Sequence, residues 1–132
     1  MTVPNLGPLD IISEAWVDAV ADALNAGDSN ADGRWAMLSD GQMVCWFIGS
    51  RSLAINTAYG SLFLGTLTFT FPKAFAAEPV VAPAQCRLWD TGASWAALNS
   101  SNATSCTISY LDAFTRAAKA TKVGYIAIGA PA

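Results

Sequence analysis

The sequence predicts a mainly β protein: an antiparallel β-sandwich of about seven strands, preceded by one short α-helix and assembled as a trimer. Three observations carry this. Apolar residues recur at helical spacings of three and four only between Ile11 and Asn25. Beyond the polar run Asp28-Ser-Asn-Ala-Asp-Gly33 the pattern changes to two-residue alternation, with turn residues at roughly the 8–12-residue spacing of a sandwich. Finally, 53% of the 132 residues are hydrophobic and only 13% charged, about half the usual share of roughly 25%, so one copy cannot cover its own surface with polar groups.

The elements follow in order. Residues 1–9, with Pro4, Gly7 and Pro8, read as an extended arm. Asp10 or Ser13 caps a helix that Gly27 ends, and Leu9, Ile12, Trp16, Ala19 and Ala23, with Val20 beside them, form an apolar seam. A lone helix of this length is marginal in water and must dock. The seam serves either packing on its own domain or a trimeric neck that anchors the chain in a larger assembly. Residues 1–27 are therefore an arm and anchoring helix, 28–33 a hinge, and 34–132 the sandwich. Strands are predicted at Arg34–Leu38, Gln42–Ile48, Ser52–Asn56, Leu62–Phe71, Pro79–Trp89, Thr104–Leu111 and Val123–Ile128. Asp40-Gly41 is a hairpin signal. The apolar parity changes between Leu64 and Leu67, which predicts a bulge near Gly65. Val44, Trp46 and Ile48 alternate with Met43, Cys45 and Phe47, so both faces of that strand are apolar, one for the core and one for a neighbouring subunit. Asp112–Lys122 fits a short helix or a loop.

The composition excludes several chemistries. Without histidine there is no Ser-His or Cys-His relay and no imidazole base or ligand. Cys45, Cys86 and Cys106 are too widely spaced for a structural zinc and read as buried free thiols. Asp28, Asn30, Asp32 and Gly33 match half of a calcium loop, but Ser39 stands where the bidentate Glu belongs, so a solvated linker is the expectation. Asp40, Glu78, Asp90 and Asp112 show no spacing that favours a glycosidase pair. No enzymatic activity, metal or cofactor is expected. The net charge of −3 and the absence of a basic cluster argue against nucleic acid. No apolar run approaches the roughly 18 residues of a membrane span, and no secretory leader is expected from Met1-Thr-Val-Pro-Asn.

The stretch Trp89-Asp-Thr-Gly-Ala-Ser-Trp95 with Asn99-Ser-Ser-Asn102 is the candidate binding loop. Trp rings stack on sugar C–H faces while Asp and Asn read hydroxyls, which makes Trp89, Asp90, Trp95, Asn99 and Asn102 the candidate receptor residues. The competing reading places Trp89 in the core and Trp95 at a subunit interface. Arg51 and Tyr59 are weaker candidates.

Gly33-Arg-Trp-Ala-Met-Leu-Ser-Asp-Gly-Gln-Met-Val-Cys-Trp46 resembles the opening strand pair of a C-terminal domain of phage fibre proteins. Phe69-Thr-Phe-Pro-Lys-Ala-Phe-Ala-Ala-Glu-Pro-Val-Val81 and Val123-Gly-Tyr-Ile-Ala-Ile-Gly129 are similar to that family's later segments, and Ile11–Val20 to the helix that precedes such domains. The resemblance spans residues 9–129. It implies a sandwich like that of H-type lectins and fibre tips, a homotrimer on the virion surface, made in the host cytoplasm, held to other phage structural proteins through Leu9, Ile12, Trp16 and Val20. It also implies host-surface recognition by loops at the distal end, with a surface glycan or protein as the target. The chain departs from the common Gly-Arg-Trp ending, closing on Gly129-Ala-Pro-Ala132, and only about thirty residues precede the sandwich, so the expectation is a head spike, a collar or baseplate decoration, or the distal part of a multi-protein fibre rather than a long reach. The alternative is a purely structural decoration or joint, and a cellular lectin is a third reading.

Overall fold

A computed structural model describes residues 27–84 and 94–132. The expected helix and its seam, with Leu9, Ile12, Trp16 and Val20, lie outside the described residues, as do Cys86, Trp89 and Asp90. Nine strands are described: β1 (Gly27–Asn30), β2 (Gly33–Met37), β3 (Met43–Ile55), β4 (Thr57–Tyr59), β5 (Leu62–Thr70), β6 (Val80–Pro83), β7 (Ser94–Ser101), β8 (Ser105–Asp112) and β9 (Arg116–Gly129). They form two antiparallel sheets, a first of order β1-β2-β3-β9-β6 and a second of order β4-β5-β8-β7.

The alternation of apolar residues explains how the sheets share a core. Met43, Cys45, Val123, Tyr125 and Ala127 point inward from the first sheet, and Phe69, Cys106, Ile108 and Tyr110 from the second. Phe69 bridges them, its ring 5.6 Å from Phe47 and 5.4 Å from Tyr125. Each such fully buried side chain contributes about 1.5–3 kcal/mol of apolar transfer. The connection after β5 adds Phe71 and Phe75, which meet edge to face at 5.1 Å. Backbone hydrogen bonds hold that connection to the neighbouring turn, Phe71 N–H to Thr104 O and Phe75 N–H to Ala103 O.

Turn chemistry sets the hairpins. Gly41 has φ +87° and closes the β2–β3 loop, where Gln42 N–H donates to Asp40 Oδ1 at 2.9 Å. The expected Asp-Gly hairpin is thus present.

Several expectations are corrected. The polar run at residues 28–33 is a hairpin integral to the first sheet, not a hinge: Asp28 pairs with Trp35 and Ser29 with Arg34. Asn30 Nδ2 donates to Pro72 O at 2.8 Å while its Oδ1 accepts from Asp32 N–H, so its side chain is engaged in the fold. The strands expected at Gln42–Ile48 and Ser52–Asn56 are one strand, β3. Gly49 does not break it, since pairing with β9 runs through Gly49–Val123 unshifted; the Phe47 ring lies over the glycine, where a Cβ would meet Cζ at 2.6 Å.

No bulge occurs at Gly65, since β5 pairs with β8 in unbroken register from Phe63 to Thr70. Gly65 instead sits where the chain passes from β3 to β4, and an added Cβ would lie 2.0 Å from Ala54 O. Phe63, Leu67 and Phe69 face the core, whereas Leu64 belongs to the outer face. Asp112–Lys122, read as helix or loop, is a tight turn leading into β9. The alternation there is hidden because Ala117, Ala118, Lys119 and Ala120 are all exposed.

Candidate functional site

The outer face of the second sheet carries a groove of about 470 Å³, within the usual range of ligand pockets. Its floor comes from strand pairing. Leu64 of β5, Leu111 of β8 and Trp95 of β7 form one row across the sheet, and Thr66, Ser109 and Ala97 the next. The floor residues Ser109 and Leu111 are buried. Tyr59 and Trp95 border the groove with 59% and 41% of their surface exposed, so two aromatic rings are available to a ligand. No charged side chain lines it.

Polar contacts are aimed by a strand irregularity. Register along β7 shifts between Leu98 and Ser100, leaving Asn99 as the extra residue of a bulge. Bulges re-aim side chains beside binding sites. Asn99 Nδ2 donates to Ser109 Oγ at 3.0 Å, which leaves its carbonyl oxygen and the second amide hydrogen for a hydroxyl-bearing ligand.

The start of β7 is pinned by a buried carboxylate. Asp112 has no exposed surface; it accepts from Ser94 Oγ, from Phe114 N–H at 2.9 Å and from Arg116 Nε at 2.9 Å. Burial alone pushes such a carboxyl up, but these donors outweigh it and hold Asp112 below its usual value. Ser94 precedes Trp95 directly, so this ion pair fixes the backbone from which the groove's tryptophan projects.

The sequence-predicted site residues divide accordingly. Trp95 and Asn99 come together in the groove, but on a strand rather than in a loop. The loop expectation failed because β7 reads Ser-Trp-Ala-Ala-Leu-Asn-Ser-Ser, whose small and polar residues mask its alternation. Asn102 is a turn residue: its Oδ1 accepts from Thr104 N–H at 2.8 Å and Ser105 N–H at 2.9 Å, closing the β7–β8 hairpin. Tyr59 joins Trp95, whereas Arg51 lies over the Phe47 ring at 4.3 Å in the first sheet. Ser109, Leu64 and Leu111 were not anticipated. Their signal was strand parity, legible only once β5, β7 and β8 are known to be neighbours.

No family model and no curated protein matches the chain. Among solved structures it is similar to a fibre fragment of the P. aeruginosa R1 pyocin comprising its C-terminal residues 323–701, at 23% identity and a TM-score of 0.56, over 78% of this chain. The chain spans 28% of that fragment's length. It is likewise similar to an N-truncated R1-type pyocin tail fibre, at 22% identity and a TM-score of 0.56, over 92% of this chain and 99% of that one. At this identity the likeness extends to the fold.

Proposed function

We propose that the chain is a component of a phage or phage-tail-like particle, a homotrimeric fibre or spike module that recognises a host-surface glycan through the groove of the second sheet. The observation that carries the reading is the exposed pair Tyr59 and Trp95 over a floor that ends in the Asn99–Ser109 hydrogen bond. Aromatic faces suit the C–H faces of a pyranose ring, and amide and hydroxyl groups suit its hydroxyls. The likeness in fold to pyocin tail fibres supports placing such a site on a virion fibre. Recognition then runs through a strand face in addition to any contribution from Trp89 and Asp90, which precede β7 in the chain. The apolar seam Leu9, Ile12, Trp16 and Val20 supplies attachment to other structural proteins or the trimeric neck. No catalysis is proposed.

The test is a titration of the purified chain with host-surface glycan fractions, followed by tryptophan fluorescence. Saturable quenching that Tyr59→Ala weakens at least tenfold supports the reading. A chain that binds no fraction, yet is still incorporated into particles, favours a purely structural part.

A further inference from the structure

The outer face of the first sheet is apolar in a way that a free surface rarely is. Strand pairing lays Ala36, Val44, Ile128 and Val80 in one row and Arg34, Trp46, Ile126 and Ala82 in the next, with Ile48 beyond. Of the nine large hydrophobic side chains exposed among the described residues, five share this face: Leu38, Ile48, Val80, Ile126 and Ile128. Their exposed area is on the order of 400 Å², about half of what one partner contributes to a stable interface of ordinary size. Val44, Trp46 and the alanines add to it. Arg34 is the one charge in these rows, so the face offers nothing to a strongly charged partner, whereas a chain that is only 13% charged is itself a suitable one.

The face is also shaped. At its β1–β3 side a depression of about 290 Å³ lies among Gly33, Arg34, Trp46 and Ile48. At the opposite edge, two strands away, Val80 projects from β6 with 79% of its surface exposed. The strand edge beside it is blunted, because Pro79 precedes β6 and Pro83 ends it, and neither has an N–H to donate to an added strand. Face packing is then the mode of contact open to the β6 side.

We infer that the first sheet's outer face is the contact between copies of this chain, with Val80 of one copy seated in the Trp46–Ile48 depression of the next. The inference rests on the homotrimer reading and assigns it an interface. Knob and socket lie at different parts of one face, so in a homotrimer each copy offers its knob to one neighbour and its socket to the other, a head-to-tail contact that closes into a ring. Because the groove lies on the other sheet, it stays open in the ring. Each copy then turns Tyr59 and Trp95 outward, and the assembly binds a repetitive surface with the gain of linked sites.

The test uses the full chain and two variants at exposed positions, Val80→Asp for the knob and Ile48→Asp for the socket, with folding checked by circular dichroism and mass by sedimentation. The expected result is an oligomeric wild type, two single-chain variants, and a mixture of the two variants that forms a dimer, since each retains the half that the other lacks. A mixture that stays monomeric overturns the head-to-tail contact. Variants that keep the wild-type mass overturn the assignment of this face while the homotrimer stands. A monomeric wild type overturns both.

Discussion

Asn99 Nδ2 donates to Ser109 Oγ at 3.0 Å across the strand pair β7–β8, and this bond fixes the polar end of the groove. Ser109→Ala removes the acceptor without enlarging a residue. A single neutral hydrogen bond contributes about 1 kcal/mol, so melting should fall only slightly. Glycan affinity should fall more than stability does, because Asn99 loses the orientation that the bulge gives it. Paired measurements of melting temperature and ligand quenching check this.

Asp112→Asn should reveal how the chain withstands acid. The carboxyl is held below its usual value of 3.8, so its stabilising contribution is fully present above the unfolded value, near pH 4, and is lost as pH falls through the folded one. The wild type should therefore lose stability below about pH 4, and the variant should lack this part of the acid limb. At neutral pH the variant should be less stable by about 2 kcal/mol, the scale of hydrogen bonds to a charged group. Denaturant titrations from pH 3 to 7 measure both effects.

The thiols should be silent in the folded chain. Burial raises the pKa of both Cys45 and Cys106, the latter to about 11. In a Cys86→Ser background, a thiol reagent at pH 8 should label neither until denaturant is added. The linkage runs opposite to that of Asp112: stability is present below the unfolded thiol pKa of about 8.5 and is lost as pH rises towards the folded values. Alkaline melting curves should show the decline.

Gly65→Ala tests the passage between sheets. Its Cβ would lie 2.0 Å from Ala54 O, a backbone atom that cannot rotate away. A loss of about 3 kcal/mol or more is expected, against about 1 kcal/mol for Gly41→Ala, where the open turn has room and only the positive φ is strained. Equilibrium unfolding of the two variants decides it.

How much of this was legible in the sequence depended on how far each signal was local. The Asp40-Gly41 hairpin, the two-faced strand through Val44 and Trp46, and the antiparallel two-sheet class all come from alternation and turn chemistry within a few residues. Gly65 misled because a parity change looks like a bulge when the outer face carrying Leu64 is not expected to be apolar. Strand β1 was hidden because Asp28 and Asn30 are turn-forming residues, and only the pairing with β2 and the bond to Pro72 hold them extended. Side-chain chemistry alone singles out Trp95 and Asn99 in the sequence, and the structure brings both to one groove. Their partners Tyr59 and Leu64 lie about 30 or more residues before Trp95, and Ser109 lies 10 after Asn99, a proximity that periodicity does not encode.

The most direct test of the account is adsorption of the purified chain to host cells, compared between wild type and Trp95→Ala at matched oligomeric state. Trp95 is 41% exposed, so its truncation should leave the fold intact. Saturable binding by the wild type and a loss of at least tenfold in the variant are expected. Equal binding by the two would contradict a groove that reads the host through Trp95.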